Sequence, residues 1–225
     1  MTSYTSLNTL AYDHLRNMIC NCEFEFGVIY SETKLAAQLS VSRTPMRDAL
    51  NRLAQERYID ILPNRGFTLH SPTPDDIQES CHLRLMAETY CADVVAADWP
   101  APAAQAVAER MEEALGQQSR LLESDADYSI ARFWLDDLRF HEALLSYLHI
   151  SSLTEPYESV MHIFMPHHLI RNPRLHEKDE KVMLRHRSTI LEHAEIVAAL
   201  KAADRDRLQA AIRGHIASSM KALNL

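Results

Sequence analysis

Four side chains in the C-terminal part of this 225-residue chain are of the types that hold a metal ion. Asp137 and His141 stand four residues apart in FWLDDLRFHEALLSYL, the spacing that puts two side chains on one face of a helix. That face is the apolar one, shared with Phe133, Trp134, Leu138, Leu144 and Leu148. His193 falls on a stripe with Ile190, Val197 and Leu200, and His215 on one with Leu208, Ala211, Ile212 and Ser219. One carboxylate and three imidazoles therefore point inward from three helices. A buried carboxylate without a partner is costly, so something must compensate it. Imidazole with carboxylate suits a divalent ion, zinc first, with nickel or manganese as alternatives. A core histidine bonded to its own neighbours accounts for any one of these residues; the recurrence on buried stripes favours a metal. His186, two turns before His193, is a rival ligand. His162 and the His167-His168 pair lie near a proline break and read as loop or surface residues.

A second group of residues has another chemistry. In VSRTPMRDALNRLAQE, Met46, Ala49, Leu50 and Leu53 form the buried stripe of a helix. Arg43, Thr44, Arg47 and Asn51 occupy the adjoining polar edge. Ser42 is placed to cap the helix, and Pro45 is tolerable only in its first turn. Two guanidiniums and a hydroxyl at a helix N-terminus, with its partial positive charge, suit phosphates and guanine edges in a DNA major groove. Solvated surface arginines are the plainer alternative. The short helix before and the Arg65-Gly66 hairpin after shift the balance to DNA.

These residues need elements to position them. The spacing predicts a helix from Leu7 to Ile19, a short helix capped by Ser31 in SETKLAAQL, the arginine-bearing helix, and two short strands around Pro63-Asn64-Arg65-Gly66. That order is a winged helix-turn-helix over residues 1–72. HSPTPDD, with Thr73 ahead of Pro74-Asp75-Asp76, reads as a boundary and a helix start. Residues 73–225 then read as six helices: Asp75–Ala97, Ala101–Glu123, Ala126–Leu148, Ser152–Leu169, Lys178–Ala202 and Asp204–Ala222. Their breaks fall at Trp99-Pro100, Asp125, Pro166 and Asn172-Pro173. The expected fold is mainly α, a winged head followed by an all-α helical bundle. The net charge of −8 comes entirely from the bundle, because residues 1–72 carry seven basic and seven acidic side chains. A neutral head with clustered arginines can still bind DNA, since phosphate contact is local. No apolar run reaches membrane-spanning length, and the polar MTSYTSLNTL start is no secretory signal. Cys20, Cys22, Cys81 and Cys91 have no zinc-ribbon spacing and read as reduced thiols of a cytoplasmic protein.

The stretch SETKLAAQLSVSRTPMRDALNRLAQERYIDILPNRGFTLH resembles the DNA-binding domain of the GntR family of bacterial transcription regulators. The resemblance implies DNA contact by Arg43, Thr44 and Arg47 from the recognition helix, and by Arg65 and Gly66 at the wing tip, where glycine would let backbone approach the groove. Two positions depart from the family pattern: Phe26-Gly27 stands for Pro-Gly in the first loop, and Glu56-Arg57 for Glu-Gly before the wing. Asp137-Leu-Arg-Phe-His141, Glu192-His193 and His215 are similar to the motifs of the FCD ligand-binding domain of the FadR-type subfamily. There the aspartate and three histidines bind a metal that helps hold a small carboxylate. His149-Ile150 departs from a frequent Gly-Asn.

Arg84 and Glu88 interrupt the first bundle helix's stripe of Ile77, Cys81, Cys91 and Val95. They read as an ion pair at the stripe's edge. The subfamily's Arg-x-x-x-Glu pattern implies that Arg84 meets the effector carboxylate. A divalent metal with Asp137 would leave one positive charge and Arg84 would add a second, a host for an organic acid anion. The resemblance thus implies a homodimeric, nucleoid-associated repressor with operator DNA and a small organic acid as partners, and no membrane. A metal-dependent enzyme with a DNA-binding appendage, and a constitutive DNA-binding protein with a structural metal, are the alternatives.

Overall fold

The computed structural model describes residues 7–20, 23–124, 128–150, 153, 157, 161 and 180–222. The chain divides into two compact units, Met1–Ser71 and Pro72–Leu225. The first runs α1 (Leu7–Cys20), α2 (Glu32–Gln38), α3 (Arg43–Gln55), β1 (Ile59–Leu62) and β2 (Gly66–Leu69). Its core closes over Leu15, Met46, Leu53, Ile59 and Phe67, all fully buried. The Ser31 hydroxyl accepts the Lys34 N–H at 3.4 Å and so caps α2 as expected. Ser42 stands at the N-cap of α3, but its hydroxyl accepts no bond from the helix. The cause is Pro45: it occupies the third helical position, whose N–H a capping serine often takes, and proline has none.

The strands pair antiparallel, Ile59 with Leu69 and Leu62 with Gly66. Asn64 turns the chain at φ 59° and Gly66 continues at φ 121°. A side chain at Gly66 would collide with the carbonyl oxygen of Tyr30. The Tyr30 segment is hydrogen-bonded to the wing both ways, Tyr30 N to Phe67 O at 2.7 Å and Phe67 N to Tyr30 O at 3.0 Å. This glycine therefore permits a close approach of backbone to backbone inside the unit.

The second unit runs α4 (Pro74–Ala97), α5 (Pro102–Glu123), α6 (Ile130–Leu145) with a single 3-10 turn at Ser146–Leu148, α7 (Glu180–Lys201) and α8 (Arg205–Ala222). Thr73 and Asp76 form a reciprocal capping box at the start of α4, with Pro74 in its first turn. Helix α4 packs on α8, α8 on α7, and α5 on both α6 and α7. Val95, Val107, Met111, Phe140, Leu144, Leu200, Leu208 and Ile212 lie in the shared core. Of the helix expected over Ser152–Leu169, only Leu153, Tyr157 and Met161 are described, and all three are helical. The expectations for Cys22, Asp125, His162, Pro166, His167, His168 and Asn172-Pro173 lie outside the described residues, as does the side chain of Cys20. Burial pushes the free Cys81 and Cys91 thiols up to about 11, so both stay protonated. Among the described residues no helix is long and apolar enough to cross a membrane.

Two departures from the family pattern fall where the backbone is left-handed. Arg57 adopts φ 58° and His149 adopts φ 51°, the left-handed region that glycine fills without strain. Exposed His149 closes the turn after α6 in the conformation of a glycine cap. Replacing it should relieve that strain: His149→Gly is expected to stabilise the chain by about 1 kcal/mol in urea denaturation. A loss of stability would contradict the strain.

Candidate metal centre and nucleic-acid interface

The bundle brings the four expected metal ligands together. Asp137, His141, His193 and His215 are all buried, and one nitrogen from each histidine lies within 4.8 Å of the other two. The Nε2 atoms of His141 and His215 are 3.2 Å apart. The Asp137 carboxylate lies 3.6 Å from His193 Nε2 and 3.8 Å from His141 Nε2.

Each ring is aimed from behind. His141 Nδ1 lies 2.9 Å from Glu88 Oε2, His215 Nδ1 2.8 Å from Glu192 Oε2, and His193 Nδ1 2.9 Å from Gln118 Oε1. A carboxylate only accepts, so Nδ1 of His141 and His215 carries the proton and Nε2 presents a lone pair inward. Gln118 follows the same logic: its Nε2 donates toward Asp137 Oδ1 at 3.4 Å and the Phe133 carbonyl at 3.5 Å, leaving its oxygen for His193. Phe140 stacks on the His193 ring at 3.8 Å and fixes its plane. Burial, then the neighbouring His215, His141 and Arg84, hold His193 well below the usual histidine range. Burial also lowers His215 against the opposing pull of Glu192. This outer layer of acceptors behind inward-facing imidazoles is the arrangement that orients metal-ligating histidines. His193 Nε2, buried and without a hydrogen-bond partner, is the atom that most directly fits a metal ligand.

His186 does not join the cluster. It stacks on Phe133 at 3.8 Å, and the Tyr128 hydroxyl lies 3.2 Å from its Nδ1. Seven residues advance a helix by about 10 Å, so His186 and His193 share a face without reaching one ion.

Arg84 and Glu88 pair at 2.7 Å in full burial, not at a stripe's edge. Glu88 also accepts from the Tyr157 hydroxyl at 2.7 Å. Burial opposes its charge, but Arg84 and His141 hold the Glu88 carboxyl far below its ordinary range. Burial, then that carboxylate, raise the Tyr157 hydroxyl well above its usual value, so it remains a donor. Glu192 is similar: burial opposes, while His215 and Arg185 hold it at about 2. Glu88 thus cancels the charge of Arg84, and the two positive charges expected of a metal-loaded centre become one.

Gln118, Glu88, Glu192 and Tyr157 complete the centre. Their contribution was readable only in part from the sequence. Gln118 follows Val107, Met111 and Ala114 at helical spacing, so it carried the same polar-on-apolar signal as the histidines.

In the first unit, α3 buries Pro45, Met46, Ala49, Leu50 and Leu53 and exposes Arg43, Thr44, Arg47 and Asn51. Arg65 is exposed at the tip of the wing, beside half-buried Gly66. Among the described residues, no ion pair or hydrogen bond holds the guanidiniums of Arg43, Arg47 or Arg65. Glu56 on the far end of α3 is instead bonded to Tyr12 and Arg52, tying α3 to α1. The arginine-bearing end is left facing solvent.

The outer layer can be tested without a metal. Gln118→Leu strands the buried Nδ1–H of His193, and unfolding by denaturant should show a loss of about 1–3 kcal/mol. A neutral effect would remove Gln118 from the layer.

Residues 7–69 match the family described as bacterial regulatory proteins, gntR family, and residues 79–218 match the FCD domain. The gluconate operon transcriptional repressor of Bacillus licheniformis is 31% identical over 204 residues, 85% of this chain and 74% of that protein. An uncharacterized HTH-type transcriptional regulator in an unstable DNA locus of Streptomyces ambofaciens is 31% identical over 134 residues, 60% of this chain but only 53% of that protein. The solved structure of E. coli McbR/YncC shares the fold, with a TM-score of 0.77 at 20% identity over 98% of both chains. The chain belongs to the GntR family of bacterial regulatory proteins and carries an FCD domain, which makes it a transcriptional regulator and not an enzyme.

Proposed function

We propose that this regulator is a repressor that grips an operator with its head and senses a small carboxylate at a metal site in its bundle. The observation that carries the sensing half is the inward convergence of three lone-pair nitrogens and the Asp137 carboxylate, each imidazole aimed by an outer partner. Asp137, His141, His193 and His215 would hold the ion. Zinc fits this nitrogen-rich set best, with nickel or manganese as alternatives. Once bound, it supplies a positive, Lewis-acidic point for an organic acid anion. Arg84 is the guanidinium at the centre and the donor for the effector carboxylate.

In the head, Arg43, Thr44 and Arg47 serve as the reading edge of α3, and Arg65 with Gly66 as the wing tip. The protein acts as a homodimer on a short palindrome in the cytoplasm, where the operator lies. Domain roles follow the two units: residues 1–72 bind DNA, and residues 73–225 bind the effector and dimerise.

A structural metal in a constitutive DNA binder is the second reading. The burial of all four ligands favours it, because closed four-ligand sites are the structural kind.

Gel shifts separate the two. The zinc-loaded protein, on an operator selected from random duplexes, is challenged with a panel of small carboxylates. At least one acid should release the operator; a hundredfold release requires the acid to favour the non-binding state by about 2.7 kcal/mol. Indifference to every acid would leave only the structural metal. Arg47→Ala should cost about 1–3 kcal/mol of operator affinity, and unchanged binding would remove α3 from the interface. His193→Ala should purify with little bound metal; full occupancy would remove His193 from the site.

A further inference from the structure

An outer partner aims a ring only if it is itself held. Glu88 is fixed in full burial by Arg84 and the Tyr157 hydroxyl, and Gln118 by Asp137 and the Phe133 carbonyl. Glu192 stands differently. Its side chain is 20% exposed, so water competes for its oxygens. Its Oε2 accepts from His215 Nδ1 at 2.8 Å, and its Oε1 accepts from Arg185 Nη1 at 3.0 Å and from the Ser188 hydroxyl at 3.1 Å. Ser218 adds a further side-chain hydrogen bond to this carboxylate. Arg185 also reaches beyond it. Its Nη2 donates to Ser219 Oγ at 3.1 Å, and that hydroxyl donates to the His215 carbonyl at 3.1 Å. One guanidinium thus reaches His215 by two routes, through Glu192 to the ring and through Ser219 to the backbone. Glu192 lies on α7 and Ser219 on α8, so the fork spans the two helices that carry His193 and His215.

We propose that Arg185 is a positioning residue of the centre: its planar fork aims the His215 ring by holding Glu192 and Ser219 at once. A guanidinium offers two donor nitrogens in one fixed plane, whereas an ammonium gathers its three donors on a single nitrogen. Arg185→Lys therefore keeps the charge and loses the fork. This rests on the metal reading above and adds to it a residue two layers from the ion.

The test titrates full-length protein with zinc against a chromophoric chelator. Wild type should take one zinc per chain, and Arg185→Lys should bind it about fivefold weaker, less than the roughly 10–100-fold cost of losing a direct outer partner. An equal or tighter affinity overturns the role of the fork. A general packing defect would also weaken binding, so a second measurement reads the ring itself. With isotope-labelled histidines in the EDTA-treated protein, nitrogen NMR shifts should place the His215 proton on Nδ1 in wild type. In Arg185→Lys that proton should divide between the two ring nitrogens, with His141 unchanged. An unaltered His215, or an equal change at His141, overturns the proposal and leaves the metal site standing. Failure of wild type to take up zinc sinks both.

Discussion

Three imidazole lone pairs and a carboxylate cannot face one another across a dry interior unless something positive stands between them. That constraint organises the second unit. Gln118 on α5, Glu88 on α4 and Glu192 on α7 each hold the outer nitrogen of one ring. Each bond fixes a proton on the outside and so turns a lone pair inward. The cost of the crowded centre is met by cationic character, part of it from Arg84. Removing one outer partner would free a ring to flip its tautomer, and the centre would lose a ligand without losing a histidine.

The head faces the opposite problem, keeping its cations unsatisfied. Leu53 and Met46 bury one side of α3, and Glu56 is spent on Tyr12 and Arg52 at its far end. Pro45 leaves the first turn without one of its usual donors. The guanidiniums of Arg43 and Arg47 stay exposed, with their charge available to a polyanion. The wing is braced from within, where Phe24, Tyr30 and Phe67 form an aromatic cluster with centroids 4.6–5.8 Å apart. Gly66 lets the strand lie against the Tyr30 carbonyl, so the position of Arg65 depends on an internal contact.

Helix periodicity made much of this legible. Polar residues on apolar stripes marked Asp137, His141, His193 and His215, and those four do converge. Periodicity gives a face and not a height, which is why His186 was indistinguishable from a ligand until the helix was placed. Partners that come from another helix were not legible at all: the bonds from Glu88 to His141 and from Glu192 to His215 span 53 and 23 residues. Spacing did pair Arg84 with Glu88, and hid only that the pair lies buried beside His141. At the two departures from glycine, Arg57 and His149, the resemblance marks the position but not the conformation, and both residues adopt the left-handed backbone.

The most direct test of the centre is X-ray absorption at the zinc edge of the loaded, full-length protein. The account predicts three imidazole nitrogens and one carboxylate oxygen at about 2.0–2.2 Å, with the multiple scattering that rings produce. A shell with fewer than two imidazoles, or one containing sulfur, would contradict it.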